Sequence, residues 1–106
     1  MKKYIDIITT CNCKDNLKEI TQRILLDKLS PCIQEIQSIN SSYLWNDEIK
    51  SDKEYLLLIK TLNENKDKIC NIITSIHKYD IPEVISLDFD IINENYNSWF
   101  NKSLLK

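Results

Sequence analysis

The stretch YLLLIKTLNENKDKICNIITSI, residues 55–76, decides the fold because its hydrophobic period changes midway. The run from Tyr55 to Ile59 is continuously apolar and has the length of a buried strand. The second half repeats isoleucine at the i, i+3, i+4 and i+7 spacing of one helical face, at Ile69, Ile72, Ile73 and Ile76. Asn65 stands before this repeat and is a residue type that caps helices. The stretch therefore predicts a buried strand followed by an amphipathic helix.

The N-terminal third of the chain predicts a similar pair of elements. Tyr4 to Thr10 is short, apolar and rich in β-branched residues, which favours a buried strand. Apolar residues then recur at helical spacing over residues 13–29, and Asn12 is the expected N-cap. Ser30-Pro31 ends the pattern because the residue before a proline avoids the α region.

The remaining segments predict a long hairpin, a last strand and a terminal helix. Residues 32–45 are strand-like, and the chain turns near Asn46-Asp47-Glu48 to reach the apolar run already described. Pro82 ends the second helix, residues 84–89 have a strand pattern, and residues 94–105 have an amphipathic one. The order β-α-β-β-α-β plus a terminal helix is typical of an α+β, ferredoxin-like sandwich with both helices on one face of the sheet.

Chain length and leftover apolar surface predict a single domain that associates with itself. A chain of 106 residues is about the usual size of one domain, so we expect one domain over residues 1–106. Two helices on one face of the sheet leave several large side chains uncovered, at Tyr43, Leu44, Trp45, Tyr55 and Trp99. Exposed apolar surface of this extent favours a homo-oligomer.

Charge and composition exclude several classes of partner. With 14 Lys+Arg against 16 Asp+Glu, the chain has no basic field for nucleic acid or anionic lipid, and we expect neither partner. The chain has no glycine, which excludes the Gly-rich loops that hold nucleotide phosphates. Asp6 interrupts the apolar N-terminus, so we do not expect residues 1–8 to act as a signal peptide, and we expect a soluble cytoplasmic protein. The cysteines are expected as reduced thiols, at Cys11, Cys13, Cys32 and Cys70.

Two motifs carry a resemblance to a known family. Residues 54–61 are EYLLLIKT, and residues 76–87 are IHKYDIPEVISL. The CutA family has an LLLIKT strand followed at this spacing by an HPYEVPEVISL motif. Further matches cover nearly the whole chain, at Asp27-Lys28-Leu29, Cys32, Tyr43-Leu44-Trp45, Tyr96 and Trp99. The chain closely resembles the CutA family of divalent-cation tolerance proteins.

This resemblance implies a fold, an assembly and a ligand. It implies a ferredoxin-like domain with an extended hairpin, a homotrimer formed by edge pairing of the hairpins, and a role in tolerance of divalent cations, classically copper. Copper or another divalent metal ion is the implied ligand, and none is expected to be required for folding. Three departures affect loops and ligands. Lys78 replaces the proline after the motif histidine, Asn46-Asp47 replaces a Glu-Gly turn, and Thr9 replaces a cysteine proposed as a metal ligand in some members.

The residues proposed to bind metal each have a structural alternative. His77, the only histidine, follows the second helix and either binds a metal ion as a neutral imidazole or has a structural role. Glu83 either completes a site with His77 or pairs with Lys60. Cys11 and Cys13 offer the thiolates that Cu(I) prefers, or they are small packed thiols. The other two cysteines are assigned to packing. The predicted metal site consists of His77, Glu83 and Cys11.

Four further positions of the family motifs predict a pocket for a small ligand between subunits. These are Tyr79, Trp45, Lys60 and Glu54, although packing is the other interpretation for the two aromatic rings. No serine or cysteine is paired by motif with the single histidine, so no enzymatic activity is predicted. The alternative to cation tolerance is a structural or signalling trimer that binds a small metabolite or a partner protein.

Overall fold

The computed structural model describes residues 3–105. Met1 and Lys2, the first residues of the stretch that is not expected to act as a signal peptide, lie outside the described residues, and so does Lys106. In chain order the elements are β1 (Tyr4–Cys11), α1 (Lys14–Leu26), β2 (Cys32–Trp45), β3 (Glu48–Leu62), a 3-10 turn (Asn63–Asn65), α2 (Lys66–Ile76), β4 (Ile85–Phe89) and α3 (Glu94–Ser103). The predicted order of helices and strands is confirmed. None of these helices is long and apolar enough to span a bilayer.

The strands of residues 3–105 form one antiparallel sheet in the order β2-β3-β1-β4. β1 lies inside the sheet, where Ile7 pairs with Ile59 of β3 and with Ser86 of β4. This strand order and the two helices that connect the strands confirm the predicted α+β ferredoxin-like class.

The face of the sheet that α1 and α2 cover contains the core. Alternate residues of β1 and β3 point to this face, because successive strand side chains point to opposite sides. The helices contribute the isoleucines of the predicted repeat and those of α1. The most deeply buried apolar side chains are Ile5, Ile7, Leu17, Ile20, Ile24, Leu57, Ile59, Ile69 and Ile73. Burial of one such side chain stabilises a protein by about 1.5–3 kcal/mol.

The opposite face of the sheet, here called the open face, is apolar and only partly covered. The register places on it Ile8, Ile36, Leu56, Leu58, Ile85 and Leu87. Ile36, Ile85 and Leu87 remain 47%, 48% and 56% exposed. α3 covers one end of this face, where the buried ring of Phe100 lies 5.5 Å from that of Tyr4. The rest of the face has no cover within residues 3–105.

The hairpin of β2 and β3 turns without glycine. Asn46 and Asp47 have φ angles of 51° and 63°, which suit the two-residue type I′ turn that joins twisted strands. Asn and Asp are the residue types that adopt this left-handed conformation at the lowest cost after glycine. Ser38, with a φ of 60°, lies in a bulge between Ile36 and Ile39. The predicted position of the hairpin tip agrees with this turn.

The predicted end of α1 at residue 29 is wrong, since the helix ends at Leu26. Lys28 takes a φ of 55°, and its amide donates to the Leu25 carbonyl at 3.0 Å. The amide of Leu29 donates to the carbonyl of Ile24 at 3.1 Å, which completes a Schellman motif. The chain reverses here because Leu29 is buried against the core.

The predicted N-cap of α1 is wrong, whereas Asn65 does occupy the N-cap position of α2 but without a capping hydrogen bond from its side chain. Cys13, not Asn12, precedes the first turn of α1, and no side chain caps that end. The Asn65 side chain does not cap α2; its amide group donates to the Leu29 carbonyl and to Thr61 Oγ1, each at 3.3 Å. Asn65 thereby ties the end of α1 to β3. β4 begins at residue 85 and α3 ends at residue 103, slightly inside the predicted ranges of 84–89 and 94–105.

Candidate functional site

The connection between α2 and β4, residues 77–84, is fixed against β1 by a buried asparagine of α1. Asn16 is 2% exposed, and its Nδ2 donates to the Ile76 carbonyl at 3.1 Å. Its Oδ1 accepts from the backbone amide of Lys78 at 2.9 Å and from the thiol of Cys11 at 3.4 Å. Asn16 thus satisfies polar groups on both sides of the point where α2 ends.

Both ring nitrogens of His77 take part in hydrogen bonds to the backbone. Nε2 lies 2.8 Å from the carbonyl oxygen of Thr10, and Nδ1 lies 3.0 Å from the amide nitrogen of Tyr79. A carbonyl only accepts and an amide only donates, so these partners assign the neutral tautomer with its proton on Nε2. His77 is 8% exposed. A metal ion would have to displace one of these hydrogen bonds to bind the ring.

The two neighbouring cysteines occupy different environments. Cys11 is fully buried, and its thiol donates to Asn16 while its sulfur accepts from the amide of Cys13 at 3.4 Å. Burial raises the pKa of the Cys11 thiol. The backbone amide of Asn16 lowers the pKa of the Cys13 thiol, and Lys78, whose Nζ lies 3.5 Å from that sulfur, lowers it further. We call the side chains of Cys11, Asn16 and His77 the closed cluster.

A groove of about 690 Å³ opens beside the closed cluster, where the hairpin leaves the sheet and meets residues 79–83. Carboxylates come from both of these segments, at Asp52, Glu54, Asp80 and Glu83. Aromatic side chains also line the groove, at Tyr43, Trp45 and Tyr79. We call this feature the acidic groove.

Glu54 is the most buried carboxylate of the acidic groove. It is 7% exposed, and its Oε2 accepts a hydrogen bond of 2.7 Å from the hydroxyl of Tyr79. Its Oε1 accepts no hydrogen bond from residues 3–105. Burial, and then the adjacent Glu54 carboxylate, raise the pKa of Tyr79. The Tyr79 hydroxyl therefore stays a neutral donor across the physiological pH range.

The hairpin side of the groove repeats this arrangement nearer to solvent. The Tyr43 hydroxyl donates to Asp52 Oδ2, and this hydrogen bond raises the pKa of Tyr43. Lys50 is the basic residue among the lining side chains, and its Nζ pairs with Glu48 Oε2 at 3.1 Å. The four carboxylates consequently face one ammonium group that already has a carboxylate partner, and the groove has a negative potential.

The predicted site residues fall into three places. Four of them line the acidic groove, namely Glu54, Tyr79, Trp45 and Glu83. Cys11 and His77 lie in the closed cluster. Lys60 lies elsewhere, on the open face opposite Asp6, and its Nζ donates to Gln34 Oε1 rather than pairing with Glu83. Within residues 3–105, no three His, Cys, Asp or Glu side chains are close enough to form a metal site on their own.

Several residues of the two regions were not predicted. Asp52, Asp80 and Tyr43 line the groove only because the hairpin and residues 77–84 meet in space, which no local pattern reveals. Asn16 did have a signal. It stands four residues before Ile20, so a polar side chain occupies the buried face of α1.

Comparison with known proteins identifies the family. The family model described as "CutA1 divalent ion tolerance protein" matches residues 5–103. The rice "Protein CutA 1, chloroplastic" is 32% identical over 99 residues, covering 93% of this chain and 56% of the relative. The "Divalent-cation tolerance protein CutA" of Thermus thermophilus is 25% identical over 97 residues, covering 92% of this chain and 94% of the relative. The chain thus spans about half the length of the plant relatives.

Solved structures agree with this match. The crystal structure of the divalent ion tolerance protein CutA1 from Ehrlichia chaffeensis has a TM-score of 0.90 and 30% identity, and the match covers 100% of this chain and 99% of that one. The crystal structure of CutA1 from Oryza sativa has a TM-score of 0.90 and 32% identity, covering 95% and 93% of the two chains. The chain belongs to the CutA1 divalent ion tolerance family.

Proposed function

We propose that this protein is a homotrimer that contributes to divalent-cation tolerance by binding cations weakly in the acidic groove. Membership of the family supports the general role. The observation that carries the proposed site is the set of four carboxylates around one groove whose single lysine is already paired. Carboxylate oxygens are suitable ligands for many divalent ions. We propose binding rather than catalysis, because His77 has both nitrogens engaged and is not available as a general base.

The open face supports self-association. Its isoleucine and leucine side chains form an apolar surface across the sheet that needs a cover. At its centre, Asp6 Oδ1 is buried and has no hydrogen-bond partner within residues 3–105, so a donor from a second copy would satisfy it. Glu54 stands two residues before Leu56 on β3 and therefore lies toward the same face. A copy packed on the open face would border the acidic groove and add ligands to it.

The closed cluster is the less favourable place for a metal ion. A thiol must lose its proton to bind a metal, and burial raises the pKa of the Cys11 thiol. Each nitrogen of His77 already has a partner. We propose a positioning role for His77: its hydrogen bonds to Thr10 and Tyr79 hold Tyr79 against Glu54. The copper site predicted at His77, Glu83 and Cys11 stays a prediction that the following titration tests.

Calorimetric titration of the purified protein with Mn²⁺ and with Cu²⁺ tests the metal proposal. Mn²⁺ prefers oxygen ligands, whereas Cu²⁺ also accepts imidazole and thiolate. We expect Glu83→Gln to weaken Mn²⁺ binding about tenfold, as loss of a charged ligand should. His77→Gln, which removes only the positioning of Tyr79 against Glu54, should weaken Mn²⁺ binding less than Glu83→Gln does. The control Glu19→Gln, on the exposed side of α1, should retain wild-type affinity. Unchanged affinity in Glu83→Gln together with a loss in His77→Gln would overturn the proposal.

Sedimentation equilibrium tests the assembly. Ile85→Glu places a charge on the open face and should convert the trimer to monomers, because a buried unpaired carboxylate opposes association. Leu26→Glu is the matched control, since Leu26 is exposed at the end of a helix on the other side of the sheet. A monomeric wild-type protein, or a trimer unaffected by Ile85→Glu, would contradict this interface.

A small organic ligand is a second candidate for the groove. The volume of about 690 Å³ lies within the range of pockets that hold small molecules. Trp45 and Tyr43 stay 48% and 40% exposed in its wall, and a metal ion does not need such aromatic surface.

We also propose the cytoplasm as the compartment, because all four cysteines are free thiols. The names of relatives mention the chloroplast and the periplasm for those proteins.

A further inference from the structure

The acidic groove combines negative charge with aromatic surface in a way that a metal ion alone does not explain. Within residues 3–105, no three metal-ligating side chains are close enough together to hold a metal ion. The groove nevertheless has four carboxylates, and the partly exposed side chains of Trp45 and Tyr43 also line it. Aromatic faces attract organic cations through the negative potential of the ring. Charge and aromatic surface together therefore match a ligand that has both a cationic group and an apolar body.

Only one of the two carboxyl oxygens of Glu54 has a hydrogen-bond partner in this groove among the described residues. More than nine-tenths of the residue is buried, and only Oε2 has a hydrogen-bond donor, the Tyr79 hydroxyl. Oε1 has no donor within residues 3–105 and, unlike Asp6 Oδ1, is not enclosed by protein, so it is open to the groove that Glu54 lines. A cationic donor that enters the groove would supply the missing partner.

We propose that the acidic groove binds an organic ammonium ion, a protonated primary amine with a short apolar chain. Its ammonium group donates to Glu54 Oε1, and its chain packs on Trp45. Asp80 and Glu83 stand on the opposite segment and suit a second ammonium group, so an alkyl diamine fits better than a monoamine. An ammonium group has three N–H donors, so one of them can supply the hydrogen bond that Glu54 Oε1 lacks. This inference rests on the proposed function only in that both use the same groove.

Calorimetric titration of the wild-type protein with 1,4-diaminobutane at low ionic strength tests the inference. The neutral 1,4-butanediol has the same length and serves as the control ligand. We expect saturable binding of the diamine and none of the diol. Glu54→Gln should weaken diamine binding about tenfold or more, since a hydrogen bond to a charged group is lost. Trp45→Ala should weaken diamine binding several-fold, because the ammonium ion loses an aromatic contact.

A second measurement keeps the test valid if a variant fails to fold. The indole N–H resonance of Trp45 in the wild-type protein should shift on addition of the diamine, whereas that of Trp99, on α3, should not. Equal weak binding of diamine and diol, or an unshifted Trp45 resonance at saturation, would overturn the inference. If Mn²⁺ still binds in that case, the proposed function survives. If the diamine binds and Mn²⁺ does not, the inference stands and the metal proposal fails.

Discussion

Two polar regions meet at the connection between α2 and β4, and they differ in how their polar atoms are satisfied. In the closed cluster, the amide of Asn16, the ring of His77 and the thiol of Cys11 all have protein partners. In the acidic groove, Glu54 Oε1 has no donor within residues 3–105, and the other three carboxylates are exposed to solvent. The presence of a residue type that can bind a metal ion is therefore, by itself, weak evidence for a binding site. The free lone pair is what distinguishes a binding group from a structural one.

The largest expected effect comes from breaking the closed cluster at Asn16. Asn16→Ala leaves the Ile76 carbonyl, the Lys78 amide and the Cys11 thiol without their partner, and buried unsatisfied groups cost about 1–3 kcal/mol each. We expect a loss of about 2–4 kcal/mol in the free energy of unfolding. Urea denaturation at one fixed protein concentration measures it.

The control for this variant is Asn12→Ala. Asn12 is exposed, and its replacement should change stability by no more than about 0.5 kcal/mol. If Asn16→Ala lowers the free energy of unfolding no more than Asn12→Ala does, the closed cluster does not stabilise the fold.

A smaller effect is expected at alkaline pH from Cys11. Burial raises the folded-state pKa of its thiol above the ordinary value of 9.0, so the unfolded chain releases this proton first. The stabilising contribution of the neutral thiol is complete below the unfolded-state pKa. It is lost as the pH rises through the higher folded-state pKa. Cys11→Ser keeps a hydroxyl donor that does not ionise, so the variant should lose less stability than wild type between pH 8 and pH 10.

Denaturation curves at three pH values check this prediction. Cys13→Ser is the matched control, because the pKa of Cys13 is lowered rather than raised. Parallel loss of stability in wild type and Cys11→Ser would mean that the Cys11 thiol is ionisable in place and available to a metal ion.

The smallest effect is expected outside both regions, at Lys28. This residue holds a left-handed conformation, with a φ of 55°, that glycine adopts without cost. Lys28→Gly should stabilise the protein by about 0.5–1 kcal/mol, whereas Lys28→Ala should not. Cation affinity should stay unchanged in both variants. A change of affinity in Lys28→Gly would show that stability and binding are coupled, which contradicts the separation of the groove from the rest of the fold.

Much of the fold was predictable because local pattern and final structure agree. The change of period across residues 55–76 gives β3 and α2, and Asn46-Asp47 marks the hairpin turn. The end of α1 was not predictable from periodicity, since Lys28 is an unusual residue in the position where glycine is typical. A chain without glycine removes the usual marker of such turns.

The candidate site was predictable only in part. Glu54, Tyr79, Trp45 and Glu83 stand in the motifs on which the family resemblance rests, and the structure brings them into one groove. Asp52 and Asp80 are ordinary surface residues in sequence and join the groove through tertiary contacts. The hydrogen bonds of His77 also depend on the position of Thr10, 67 residues away in the chain. Whether a side chain is free to bind a ligand depends on its tertiary contacts, which sequence patterns do not show.

The most direct test of the account is the position of a bound metal ion in crystals of the protein. Crystals soaked with Cu²⁺ and, separately, with Mn²⁺ would be measured at the absorption edge of each metal to obtain anomalous difference maps. The account predicts peaks in the acidic groove, within bonding distance of the Glu54 or Glu83 carboxylate. A peak bonded to Cys11 Sγ or to a ring nitrogen of His77, with none at the groove carboxylates, would contradict it.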